Sequence, residues 1–161
     1  DMITDQEMDG LDVYNILSAD AVFKGTEIQG GYTFEDINNV SISIDGLVEY
    51  VRAKTQAGNL PRIAPLSFLV GADAEWENFK LRTELDYSDK QNKLSAMELP
   101  TESFTQVNAF LTWTPAANQN VKFKLSALNL FDEEARQHSS YLKDVVPLPG
   151  RNFRFSIKAA F

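Results

Sequence analysis

The chain has 161 residues, enough for one domain, with 43% hydrophobic content, a single histidine and no cysteine. Thiolate metal sites and disulfide frameworks are therefore excluded, and no run approaches the ~18 apolar residues of a membrane-crossing helix. A net charge of −8 argues against nucleic acid as a partner, because phosphates favour a basic surface.

Residues 1–19 are acidic, with Asp1, Asp5, Glu7, Asp9 and Asp12, and read as a loop. Residues 1–5 have neither the basic nor the apolar region of a signal peptide, so any export address is expected upstream. A first strand is predicted from 21 to 34, with Val22, Thr26, Ile28, Gly30, Tyr32 and Phe34 on one face. Residues 35–39 form a turn rich in side chains that bond their own backbone. The second strand sets Val40, Ile42, Ile44, Val48 and Tyr50 against Ser41, Ser43, Asp45 and Glu49, and ends near Lys54. Gly58, Pro61 and Pro65 interrupt any ladder through 55–65.

Leu66, Phe68, Val70, Ala72, Ala74 and Trp76 form one face of a third strand, with Ser67, Gly71, Asp73 and Glu75 on the other. After a turn at 77–78, Phe79, Leu81, Thr83, Leu85 and Tyr87 alternate with Lys80, Arg82, Glu84, Asp86 and Ser88. A helix would scatter these apolar residues around its axis, so period two decides for a strand. A polar loop over 89–103 leads to a fifth strand, in which Val107, Ala109, Leu111 and Trp113 oppose Gln106, Asn108 and Thr112. Residues 115–120 turn into a sixth, where Val121, Phe123 and Leu125 alternate with Lys122, Lys124 and Ser126. Its phase slips at Ala127-Leu128-Asn129, which predicts a β-bulge. After the longest connection, 132–150, Phe153, Phe155, Ile157, Ala159 and Phe161 share one face of a last strand.

This is an all-β antiparallel pattern, and its connections alternate short and long. Short turns therefore gather at one end of the sheet and long loops at the other, as in outer-membrane barrels. Phe34, Trp76, Phe79, Trp113 and Phe161 fall at the short-turn end, where an interfacial girdle belongs, and Tyr50 and Tyr87 fall towards the other. A soluble sandwich would place such residues mid-strand. The opposite face carries Asp73, Glu75, Lys80, Arg82, Glu84, Asp86, Lys122, Lys124, Arg154 and Lys158. A wide, wetted or plugged interior accepts these charges, whereas a tight barrel holds them only as a paired network. The expectation is a transmembrane β-barrel segment. Its rival is a soluble antiparallel sheet with the polar face in water. About seven strands are too few, and odd in number, for a closed bacterial barrel, so residues 1–161 are expected to be the C-terminal third or so of a larger one.

The run Asn129-Leu130-Phe131-Asp132-Glu133-Glu134-Ala135-Arg136 resembles the end of a TonB-dependent outer-membrane receptor, as does Pro147-Leu148-Pro149-Gly150-Arg151-Asn152-Phe153. Ala19-Asp20-Ala21 with Lys24-Gly25-Thr26-Glu27, and Asn59-Leu60-Pro61-Arg62-Ile63-Ala64-Pro65, are similar to strands and connections of that family. One departure is Ala159, where the family often has an aromatic residue. The resemblance implies a 22-stranded barrel with a plugged lumen, in the bacterial outer membrane, importing a scarce nutrient with energy from the TonB complex. It implies outer-membrane lipid around the barrel. It also implies an assembly signal in the last strand (Phe153, Phe155, Ile157 and Phe161) read by the barrel-assembly machinery. Plug and earlier strands would lie outside this chain.

The loop 133–144 most resembles the zinc- and haem-uptake branch. No intrinsic cofactor is expected; the transported ligand would be zinc, haem or a siderophore. His138 stands in the longest loop, and imidazole is a good zinc ligand. Asp132, Glu133 and Glu134 would enrich cations beside it. The plainer reading is a solvated loop histidine among solvated carboxylates. Catalysis is not expected, since no serine joins a histidine in a nucleophile motif and the strand carboxylates follow ordinary alternation. A passive porin or adhesin barrel is the alternative function, and a soluble β-domain pairing through its edge the third.

Overall fold

A computed structural model of the chain describes residues 2–8, 11–15, 19–37, 39–96 and 98–160. The strands are β1 (Met2–Met8), β2 (Leu11–Asn15), β3 (Val22–Ile37), β4 (Val40–Thr55), β5 (Gly58–Asn59), β6 (Ser67–Trp76), β7 (Phe79–Ser88), β8 (Phe104–Trp113), β9 (Val121–Leu128) and β10 (Asn152–Ala159). β3, β4, β6, β7, β8, β9 and β10 pair in that order as an antiparallel meander, with β5 continuing the end of β4 as a short hairpin. β1 and β2 form a separate two-stranded sheet.

The long strands follow the predicted alternation within a few residues, and two expectations are corrected. Residues 1–19 contain a hairpin, not only a loop: Met8 pairs with Leu11 across the sequence Asp9-Gly10. The acidity of the stretch obscured its pairing, and residues 9 and 10 lie outside the described residues. No bulge interrupts β9, which pairs with β10 without a slip from Val121↔Ala159 to Leu128↔Asn152. The phase slips because the strand is ending. Leu128 is its last residue, and Asn129 turns out of it at φ 50°. A register shift occurs instead in β3 and β4, between Phe34 and Ile37. There Ile37 lies opposite Val40, so pairing extends further into the expected turn at 35–39 than predicted.

Register carries the apolar residues across the sheet on one face. Ile44 opposes Ala72, Ala72 opposes Thr83, and Thr83 opposes Ala109. No protein layer covers that face among the described residues. Among the described residues the only buried hydrophobic side chains are Ala53 and Phe104, which alternation puts on the opposite face, and Ala135 in a loop, while Val70 is 44% and Phe155 63% exposed. A water-soluble domain of this length buries most of its large aliphatic and aromatic side chains. The sheet is therefore two-faced, with its hydrophobic side turned outwards.

Candidate functional site

On the apolar face the rings of neighbouring strands stack into a belt at the short-turn end. Trp76 lies on Phe79 with centroids 5.7 Å apart, Phe79 on Trp113 at 6.4 Å, Trp113 on Phe123 at 5.2 Å and Phe123 on Phe155 at 6.3 Å. All four contacts are near-parallel, with interplanar angles of 17° to 24°. Phe123 on β9 and Phe155 on β10 join the predicted girdle. Towards the long-loop end Phe68 stacks on Tyr87 at 4.8 Å. From Phe68 to Trp76, eight residues of strand at ~3.3 Å each span ~26 Å before tilt. That is the order of the apolar band of an outer-membrane barrel.

The other face binds its charges together. The Arg82 guanidinium forks onto Asp45, with Nη1 2.8 Å from Oδ1 and Nη2 3.1 Å from Oδ2, and also reaches Asp73. Its Nε donates to Glu84 at 2.6 Å. Lys80 joins Glu75 at 2.6 Å and Asp73 at 3.3 Å. Gly71 makes room for this, since a Cβ there would come within 3 Å of the guanidinium and of the Asp45 carboxylate. On β4, β6 and β7 the charges are therefore paired, an arrangement that only a tight barrel was expected to require.

Beyond the strands, three long connections interlock. Gln91 is fully buried; its Nε2 donates to the Ile63 carbonyl at 2.7 Å, and its Oε1 accepts from Arg52 and from the Lys93 amide. Glu98 accepts the backbone N–H groups of Arg62 at 2.6 Å and Ser95 at 3.1 Å. Lys143, also buried, donates from Nζ to the Leu99 carbonyl at 2.6 Å and to Asp144 at 2.7 Å. The Arg62 guanidinium lies 3.5 Å above the Tyr141 ring.

His138 sits inside this tie and not in solvent. It is 3% exposed, with Nδ1 2.9 Å from Thr101 Oγ1 and Nε2 3.0 Å from Glu98 Oε1. The latter is ion-pair range without hydrogen-bond alignment. Asp132, Glu133 and Glu134 are exposed and differently employed. Asp132 Oδ1 accepts the Arg151 amide at 2.7 Å, and Glu134 pairs with Arg136 at 2.9 Å. The Glu133 backbone is held by the side chain of Asn129. Among the described residues no group of three histidine or carboxylate side chains forms a metal-sized cluster.

The Asn-Leu-Phe-Asp and Pro-Gly-Arg motifs meet physically. Asn129 is buried and donates to the Pro149 carbonyl at 3.3 Å, while Asp132 receives the Arg151 amide. A Cβ on Gly150 would lie 2.8 Å from Asp132 Oδ1, so a side chain there would push that carboxylate aside. Both motifs serve to close the base of the longest loop. Phe153, Phe155 and Ile157 are 60% to 66% exposed on β10, which ends the sheet; Phe161 lies outside the described residues.

Burial holds the His138 imidazole below its ordinary value near 6.5, with Glu98 opposing and Lys143 reinforcing the shift. The unfolded loop then takes a proton more readily than the closed one, so closure is strongest above about pH 6.5 and weakens as pH falls through the depressed value. Amide exchange over 135–143, corrected for intrinsic rates, is expected to be faster at pH 5.5 than at pH 7.5. A His138→Gln variant should lose that difference; an unchanged difference would remove His138 as its source.

No family model matches the chain. Over 70 residues, 43% of the chain, it is 33% identical to TonB-dependent heme receptor A of Haemophilus influenzae (strain ATCC 51907 / DSM 11121 / KW20 / Rd), covering 9% of that protein. A solved chain, Copper transporter OprC, superposes with a TM-score of 0.76 over 89% of this chain and 24% of its own, at 21% identity. That likeness shows the fold. Residues 1–161 are an all-β antiparallel segment of a barrel wall, spanning about a quarter of one relative's length and about a tenth of the other's.

Proposed function

We propose that residues 1–161 are the C-terminal barrel segment of a TonB-dependent receptor of the bacterial outer membrane, importing a metal complex. The observation that carries this is the uncovered apolar face with its stacked aromatic belt, backed by a salt-bridged polar face. Lipid is the partner that suits the first face. The names of the two relatives, a heme receptor and a copper transporter, support uptake over a passive pore. The plug and the segment that engages the TonB complex belong to the rest of the receptor. The exposed Phe153, Phe155 and Ile157 on the terminal edge strand suit recognition by the barrel-assembly machinery.

Within the zinc, haem and siderophore range, the loops favour an organic metal complex such as haem over a bare ion. Exposed Tyr141, Leu142, Val145 and Val146 form an apolar surface on a loop held firm by His138, Lys143 and Asn129. The test uses the complete receptor. It should require detergent to stay monodisperse, and haem accumulation by cells should stop when TonB is removed. A Tyr141→Ala/Val145→Asp variant is expected to bind haem about tenfold more weakly, a loss of ~1.4 kcal/mol. Zinc binding that falls in His138→Ala while haem binding does not would favour the ion instead. Solubility in plain buffer would overturn the membrane reading altogether.

A further inference from the structure

One end of the apolar face is not apolar. Alternation sets the even-numbered residues of β3 and β4 on the outward side, and at the long-loop end these are Val22, Lys24, Arg52 and Lys54. Lys24 lies directly opposite Arg52, and Lys54, two residues further along, lies opposite Val22. Like charges facing each other across a ladder are destabilising. Among the described residues none of the three cations is within ion-pair distance of a carboxylate. Glu27 and Glu49, the carboxylates of these two strands nearest to them, oppose each other on the inward face. The Arg52 guanidinium is held by neutral groups, its Nε donating to the Tyr50 hydroxyl at 2.9 Å and its Nη1 to Gln91 Oε1 at 3.2 Å. Its Nη2 finds no acceptor among the described residues. Val22, Lys24, Arg52 and Lys54 line a cleft of about 360 Å³, a size usual for small-ligand sites.

Height on the wall decides what meets this cleft. Val48 opposes Phe68, in the aromatic level at the long-loop end. Arg52 stands four residues beyond Val48, ~13 Å of strand, or ~10 Å of height at a tilt of ~40°. Headgroups lie there, just past the apolar band.

We propose that Lys24, Arg52 and Lys54 form a binding site for the phosphate of an outer-leaflet lipid, held against the outside of the barrel wall. This rests on the membrane reading above. Phosphate follows from three unanswered cations, one of them a guanidinium with a donor to spare. Lipid follows from placement. Below the cations the same face continues through exposed Ile28, Val48 and Tyr50, which acyl chains would cover and a soluble phosphate would leave in water. A neighbouring strand does not serve instead. Lys24 stands on the open edge of the sheet, but a strand added there lies two strand spacings, ~10 Å, from Arg52 and Lys54 on β4. On its other side β4 meets β5 and Gln91, which bring no carboxylate.

The test uses the complete receptor, stripped of lipid in a neutral detergent, and counts bound lipid by native mass spectrometry. The probe is lipid A, phosphorylated or enzymatically dephosphorylated. The phosphorylated form should bind, and a Lys24→Gln/Arg52→Gln/Lys54→Gln variant should hold it on the order of a hundredfold more weakly. Lys24→Gln/Lys54→Gln, which spares the Arg52 contacts and so guards against misfolding, should lose about thirtyfold. Dephosphorylation should weaken binding to the unaltered receptor as much and cost the triple variant nothing more. Lys122→Gln/Lys124→Gln/Lys158→Gln removes the same charge from the other face and should bind like the unaltered receptor. Equal losses in the two triple variants, or no loss in the first, refute the site. Displacement of the lipid by an equal concentration of inorganic phosphate refutes lipid as its occupant. A receptor soluble without detergent refutes instead the membrane reading on which the site rests.

Discussion

Replacing Ile44 with arginine is expected to destabilise the complete receptor in phospholipid vesicles by about 2–4 kcal/mol, the cost of a cation at the midplane of a barrel's lipid face. Ile44 is the informative position because of its depth. It opposes Ala72, which lies four residues from Phe68 on one side and four from Trp76 on the other. It thus sits midway between the two aromatic levels. Its side chain is 44% exposed with no protein above it, so the penalty would come from hydrocarbon and not from a disrupted core. The control is Gln106→Arg on the opposite face, directly across from Asp86. There the new cation meets a carboxylate and water, and a change below ~1 kcal/mol is expected. Urea titration of the two variants gives the comparison. On a soluble sheet both substitutions would fall within about 0.5 kcal/mol of neutral, because surface changes away from special features do. Near-equal small effects would therefore end the membrane reading.

The faces of this sheet were legible in the sequence because period two is a local signal, repeated over seven long strands. Val70, Leu85 and Leu125 are exposed on the face that alternation assigned them. Turn lengths were legible for the same reason, and with them the ends at which the aromatics gather. What escaped was long-range. Gln91, Glu98 and Thr101 lie in a stretch readable only as a polar loop. Their partners Ile63, Arg62 and His138 are 28 to 37 residues away in sequence. Nothing local marks a glutamate that will accept a backbone amide 36 residues away. His138 shows the limit most clearly. A lone histidine in a charged loop reads as solvated or as a ligand, yet the fold encloses it against Thr101. Asp132 likewise reads as one of an acidic run, while its carboxylate takes the Arg151 amide across the longest loop.

The charged face makes the other large prediction. Arg82→Ala removes the group that Asp45, Asp73 and Glu84 share, leaving three carboxylates facing one another across β4, β6 and β7. Breaking a fully buried ion pair typically costs ~3–5 kcal/mol. Here Asp73 is largely buried, but the Arg82 side chain is 25% and the Asp45 side chain 45% exposed, so water screens part of the repulsion. A loss of about 2 kcal/mol is expected in a urea titration of the complete receptor. Arg82→Lys keeps the charge but forfeits the two-pronged contact with Asp45, and should lose about half as much. Two features separate this electrostatic account from simple loss of side-chain packing. The Arg82→Ala deficit should shrink in 1 M salt, where the screening length is ~3 Å. The deficit should also shrink when Asp73→Asn is added, because that removes one of the three carboxylates, the one left with Lys80 alone at 3.3 Å. A deficit indifferent to both would mean that the guanidinium acts as filler in the space left by Gly71, and that the polar face is held by shape and not by charge.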